Sequence, residues 1–294
     1  MRIIALIQVY NERRFIANCI EHLREQGVEV YLVDNESTDD TVAIAERYVG
    51  RGVIDIESIA REDCYAVREQ VAHKEQLAQR LDADWFIHYD ADEVRVSPKQ
   101  GQTLAEAIAE YDEAGFNAIN FLEFTFVPTR ESPDHDHPDF AKTMLWYYPY
   151  LPTFPHRLNA WKNQDGPVDL GGAGHRIKFP GLRMAPESLY MRHYMFLSAE
   201  HVREKYVGMP RREPPGLPQH WRGLLRADDV QLSSEKEMRR YTADHLLDPS
   251  EPRTTHLIAQ FAPPPEPQPQ PQQRGSANPL RRVGRRVKRF AAGS

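Results

Sequence analysis

Trp85-Phe86-Ile87-His88-Tyr89 is an aromatic and apolar run that stops at Asp90-Ala91-Asp92-Glu93, three carboxylates within four positions. In an open α/β sheet, chemistry gathers at the carboxyl edge of the strands. Residues two apart on an extended segment point the same way, so Asp90 and Asp92 are expected to face one hard cation together. Mg²⁺ or Mn²⁺ held by one or two carboxylates and completed by substrate phosphates is a recurrent arrangement. The plain alternative is an acidic turn that closes a strand.

The elements that must position this segment read as follows. Residues 3–9 form an apolar strand, and 12–26 a helix with Phe15, Cys19, Ile20 and Leu23 at helical spacing, closed by Gly27. Residues 28–33 make a second strand. Ser37 or Thr38 then caps a helix through about Val49, with Asp39 and Asp40 in its first turn. A short strand at 53–56 and a helix over about 62–81 lead to the strand ending at Asp90. This β-α-β-α-β-α-β order predicts a parallel, doubly wound sheet. No G-x-G-x-x-G follows the first strand, which disfavours a dinucleotide-binding domain. After a helix at 102–114, segments 117–127, 142–150, 154–159, 175–179 and 189–194 read as strands added antiparallel to the same sheet. Ser198 opens a helix over 198–207.

Three strand ends now carry motifs: Val9-Tyr10-Asn11-Glu12, Val33-Asp34-Asn35-Glu36-Ser37-Thr38-Asp39-Asp40-Thr41, and Tyr89-Asp90-Ala91-Asp92-Glu93. Together they resemble the family 2 (or family 2-like) glycosyltransferases of the GT-A fold, an α/β, mostly parallel doubly wound sheet with antiparallel C-terminal additions. The likeness is clear over residues 1–95 and thinner from there to about 207. It implies a nucleotide-sugar-binding half at 1–95 and an acceptor half at 96–209. Beyond them the sequence reads as a helical or irregular extension at 210–261 and a disordered proline-rich linker with a basic tail at 262–294.

The resemblance also implies roles. Asp34 accepts from the base of a nucleotide-diphosphate sugar, with Tyr10, Asn11, Glu12 and Asn35 beside base and ribose and Arg68 on the diphosphate. Asp92, Asp90 and a late-strand histidine, His193, hold Mg²⁺ or Mn²⁺, which screens the charge that grows on the leaving diphosphate. His175, beside Gly171-Gly172-Ala173-Gly174, reads as a donor or acceptor contact. An inverting transferase needs a carboxylate to take the acceptor proton. The family's acidic pair for this is absent in clear form, and Asp169 is the nearest candidate. The 132–139 segment, SPDHDHPD, reads as a solvated loop lining the acceptor entrance.

Three rival readings stand beside this one. A haloacid dehalogenase-like phosphatase would use Asp90 as nucleophile, but three strands precede its motif here. A GT-A-like nucleotidyltransferase wants a glycine-rich basic loop after strand one, where Asn11-Glu12-Arg13-Arg14 has no glycine. A non-catalytic sugar-nucleotide-binding module would not require Asp34, Asp90 and Asp92 together.

Composition bounds the setting. The 294 residues carry a net charge of −6, with seven cations and no acid in 274–294, so the body is acidic and the tail basic. Leu280, Val283, Val287 and Phe290 would form one apolar stripe on a basic helix, suited to an anionic membrane surface. Nucleic acid is not an expected partner; a carbohydrate or lipid-linked acceptor is. The apolar run after Met1 ends at Gln8 without a cleavage site, and Cys19 and Cys64 have no metal or redox spacing. Both observations predict a cytoplasmic protein, with the tail able to hold it at the inner face of a membrane.

Overall fold

The computed structural model describes residues 1–61, 67–207, 224–242 and 246–262. The first strand, β1 (Ile3–Val9), is apolar along its length because both its faces are covered. Ile3, Ala5, Ile7 and Val9 pack with the buried faces of α1 (Ile16–Glu25), α2 (Thr41–Glu46) and α4 (Leu104–Glu113). Ile4 and Leu6 point the other way, onto Leu77 and Ala78 of α3 (Val67–Arg80). A strand buried on both faces reads as a continuous apolar run, which is the signature of a doubly wound sheet.

β1 sits between β2 (Glu29–Asp34) and β4 (Trp85–Tyr89), and β3 (Val53–Ser58) lies outside β2. All three pairings are parallel, so the ends of β1, β2 and β4 share one edge. Beyond β4 the sheet turns antiparallel through β8 (Arg157–Lys162), β6 (Ala118–Phe126), β7 (Trp146–Tyr150) and β12 (Arg239–Arg240). β11 (Leu189–Tyr194) runs parallel to β6 and antiparallel to β5 (Glu93–Val96), which places His193 opposite Glu93. β9 (Asp169–Gly171) and β10 (Arg176–Lys178) form a hairpin beside β8. The sheet is therefore mixed, parallel over β3-β2-β1-β4 and largely antiparallel in its additions as the sequence predicts, except that β11 pairs with β6 and β10 with β8 in parallel.

Several boundaries differ. The second helix starts at Thr41, because Asp39 Oδ1 takes the Thr41 N–H at 2.9 Å while Ser37 and Thr38 bond Asn11 instead. Residues expected to begin a strand at 142 turn as α5 (Phe140–Thr143), and β7 starts only at Trp146. β5 straddles the expected 95/96 division. Residues 246–262 return to the sheet and bury Leu247, Leu257 and Ile258. In α6 (Ala199–Tyr206) the expected Ser198 cap is present, its hydroxyl accepting the His201 N–H. Cys64, residues 208–223 and 243–245, and the linker and basic tail from 263 lie outside the described residues. Among those described, no helix is long and apolar enough to cross a membrane.

One buried ion pair sets the junction of the two halves. Arg95 and Glu93 are 0% and 1% exposed, and Arg95 Nη2 lies 2.6 Å from Glu93 Oε2. The guanidinium also donates to Asn159 Oδ1 at 2.9 Å and to the His88 carbonyl at 2.8 Å. Removing one partner of such a pair strands the other charge, at a cost of about 3–5 kcal/mol. Arg95→Met is therefore expected to lower stability by about that amount in urea denaturation, and Arg95→Met with Glu93→Gln by clearly less. A double variant no more stable than the single would contradict this.

Candidate active site at the carboxyl edge of the sheet

The tips of β1 and β2 are tied into one surface. Asn11 takes φ +56°, a left-handed conformation that asparagine tolerates better than most residues. Its side-chain oxygen accepts the Thr38 N–H at 2.8 Å, and its backbone N–H donates to Ser37 Oγ at 3.0 Å. Asn35 is likewise committed, donating to the carbonyls of Ile59 and Ala60 and accepting from Gln70 Nε2. These two amides shape the edge and have few bonds left for a ligand. Asp34 is buried at the tip of β2, where both carboxylate oxygens accept the Ser37 N–H, at 3.1 and 3.2 Å. Tyr10 is covered by the Arg61 guanidinium, 3.4 Å from its ring centroid. Arg68 is exposed in the first turn of α3, and among the described residues it is Arg61 that packs on this edge, over Tyr10.

Asp90 and Asp92 do not lie on an extended strand. They lie in a tight turn between β4 and β5, closed by the Glu93 N–H on the Asp90 carbonyl at 3.2 Å, so the period-two rule for strands does not hold. Asp90 is half exposed, with His88 Nε2 3.9 Å away. Asp92 is buried, and Lys205 Nζ of α6 donates to its Oδ2 at 2.9 Å. His193 Nε2 stands 3.7 Å from Asp92 Oδ1. Lys205 also lies 3.3 Å from Glu12 Oε1, so one ammonium joins the tip of β1 to the acidic turn.

Behind Asp92 runs a chain of buried charges. His193 Nδ1 bonds Glu123 Oε1 at 2.7 Å, and Arg157 Nε donates to Glu123 Oε2 at 2.9 Å. Arg157 Nη1 donates to His175 Nε2 at 2.7 Å. Burial alone would raise the Asp92 carboxyl, but Lys205 and His193 overcome it and hold the group well below the usual range. Burial would also lower His193, but Glu123 and Asp92 push it up to about 9. Burial raises Glu12 to about 7 against the pull of Lys205. His175 is held neutral by burial and by Arg157, as an acceptor of the Arg157 proton must be.

His175 borders an open cleft of about 370 Å³ lined by His156, Gly171, Gly172, Arg176 and Lys178. Gly174 (φ +85°) rests on the His88 ring so closely that a Cβ there would lie 2.2 Å from His88 Cε1. The glycine loop is thereby pressed against the strand that carries Asp90. Asp169 is exposed in β9, opposite Lys178, and among the described residues it makes no hydrogen bond or ion pair with Asp90, Asp92 or His193.

A model of the family described as "Glycosyl transferase family 2" matches residues 5–156, half of the chain. The chain belongs to glycosyl transferase family 2. Its mixed sheet, parallel over β3-β2-β1-β4, is a GT-A fold. The chain is similar to a lipopolysaccharide core biosynthesis glycosyltransferase, LpsC, of Rhizobium meliloti, 34% identical over 109 residues (37% of this chain, 38% of that protein). It is also similar to an uncharacterized glycosyltransferase of Rickettsia conorii, 36% identical over 123 residues (42% of this chain, 38% of that protein). The match thus spans well under half the length of these curated relatives. Among solved structures, the Pyrobaculum calidifontis mannosyltransferase PcManGT, in complex with GDP-Man and Mn²⁺, shares 18% identity at a TM-score of 0.41, covering 65% of this chain and 56% of that one. S. aureus TarS shares 13% at 0.40, covering 66% and 60%.

GT-A transferases often use a divalent ion, and the expected set here is Asp90, Asp92 and His193. The arrangement does not fit one. Lys205 occupies Asp92 Oδ2, His193 carries protons toward two carboxylates, and among the described residues no three His, Cys, Asp or Glu side chains converge on one point. Lys205, Glu123 and Arg157 were outside the candidates named from sequence. A lone carboxylate inside the aromatic strand Asn120-Phe121-Leu122-Glu123-Phe124 was the available clue for one of them.

The raised His193 makes a pH prediction. Its folded value of about 9 lies above its ordinary 6.5, so its share of stability is complete below pH 6.5 and lost as pH rises toward about 9. The difference in unfolding free energy between wild type and His193→Gln should therefore narrow across that window. A difference that stays level or widens would contradict the assignment.

Proposed function

We propose that this family 2 transferase moves a sugar from a nucleotide-diphosphate sugar to an acceptor hydroxyl with inversion. One observation carries the reading: two buried carboxylates, Asp34 and Asp92, stand at the ends of β2 and β4, on either side of β1 and on one edge of the sheet. An edge of this kind accommodates a nucleotide laid across three strand tips. Asp34 would give up its bond to the Ser37 N–H and accept instead from the base. Tyr10, with Arg61 on its ring, would flank the base, and Asp90 would face the ribose.

The acceptor oxygen attacks the anomeric carbon, the bond to the diphosphate oxygen breaks, and its electron pair leaves with the nucleoside diphosphate. The acceptor proton passes to a carboxylate. Asp169 is the proposed base, since its carboxylate lies beside Gly171, which lines the 370 Å³ cleft. His175 and the cations Arg176 and Lys178 on that cleft suit an acceptor bearing acidic groups. The name of LpsC supports a glycan or lipid-linked acceptor.

The test is release of nucleoside diphosphate from a panel of UDP-, GDP- and dTDP-sugars, with affinities for the preferred nucleotide by calorimetry. Asp34→Ala should weaken that nucleotide by about 1–3 kcal/mol, the loss typical of a charge-assisted hydrogen bond. Unchanged affinity would make Asp34 a turn residue only. No turnover of any donor would set the proposal aside.

A further inference from the structure

We propose that Lys205 is the resident cation of the transfer site, its ammonium standing where the family's resemblance implies a divalent ion. The inference rests on the nucleotide-sugar reading above and concerns the diphosphate end of the same site.

Lys205 is not a surface lysine that happens to reach a carboxylate. Its helix is fixed at the start by the Ser198 cap and held down by buried Val202 and Tyr206. Its ammonium lies 5.1 Å from the Phe15 ring centroid and 6.0 Å from that of Tyr206, so aromatic faces hold the side chain in place. Two of its three N–H groups are directed by Asp92 at 2.9 Å and Glu12 at 3.3 Å. The side chain is 18% exposed, so part of it borders the open edge. Among the described residues these two carboxylates are its polar partners, which leaves one donor for a phosphate oxygen.

A divalent ion bound to Asp92 would need its oxygen at about 2.0–2.2 Å, beside an ammonium already on that carboxylate. Asp92 Oδ2 already takes the ammonium and Oδ1 faces the His193 ring, so a divalent ion there would lie against two cationic groups. Asp92 and Glu12 instead orient a monovalent cation toward the diphosphate. When the anomeric bond breaks and its electron pair settles on the diphosphate, the Lys205 N–H bonds the oxygen that gains charge. Lys205 keeps its proton throughout, so no further reactant is needed.

The experiment is calorimetry of UDP, GDP, dTDP and CMP, with their nucleosides as references, in EDTA and in Mn²⁺. For the preferred base, the phosphate-bearing nucleotide should bind wild type about 10- to 100-fold more tightly than its nucleoside in EDTA, the range for a hydrogen bond to a charged group, and Mn²⁺ should add little. Lys205→Met should lose that increment while binding the nucleoside as before, and Lys205→Arg should keep part of it. With Lys205 removed, Asp92 and Glu12 are free to take Mn²⁺, so Lys205→Met should bind the ion where wild type does not. Wild-type binding that collapses in EDTA overturns the proposal, as does a Lys205→Met protein that keeps the full increment. The EDTA comparison on wild type decides the matter even if the variant does not fold. Nucleoside affinity without any phosphate increment defeats Lys205 alone; no affinity for any nucleotide or nucleoside in either buffer defeats the nucleotide-sugar reading as well.

Discussion

Asp92 is a carboxylate taken almost wholly out of water, and it stays ionised there because Lys205 and His193 stand against it. Burying an ion costs several kcal/mol unless partners and hydrogen bonds compensate. That demand spreads outward. His193 needs Glu123, Glu123 needs Arg157, and Arg157 hands a hydrogen bond to His175 at the cleft. Each partner sits on a different element, so the charge chain fixes the relative placement of α6, β11, β6, β8 and the glycine loop. The site and the fold of the second half are thus one set of constraints.

The same chain explains how a soluble edge is built for an anionic ligand in an acidic protein. Around Asp92 the structure sets Lys205 and protonated His193 against Asp92, Glu12 and Glu123. With Arg157 on Glu123, three cations meet three carboxylates at 2.7 to 3.7 Å, so the edge is less negative than its carboxylates alone suggest. At the tips of β1 and β2 the amides of Asn11 and Asn35 are spent in joining loops. The loops are therefore shaped before a ligand arrives, which lowers the ordering cost of binding.

The first half of the fold was legible because its information is local. Apolar runs of strand length end at polar motifs, helical spacing follows each, and Ser198 announces its own helix. The edge bearing Asp34 and Asp92 followed from that order alone. What escaped was set by distance along the chain. Lys205 meets Asp92 across 113 positions and His193 meets Glu123 across 70, and no local pattern encodes either meeting. The apolar run predicts strand through Asp90, whereas β4 ends at Tyr89 and Asp90 and Asp92 sit in the turn before β5. β5, β9 and β12 are two to four residues long and exist by pairing with neighbours, so periodicity had nothing to report.

The central claim is that one sheet edge holds a nucleotide between Asp34 and the Asp92–Lys205 pair. A crystal structure of the full chain with its preferred nucleoside diphosphate tests it most directly. The account predicts the base against the Asp34 carboxylate and a diphosphate oxygen within hydrogen-bonding distance of Lys205 Nζ. A nucleotide bound elsewhere, or bound at this edge with its diphosphate turned away from Lys205, would contradict it.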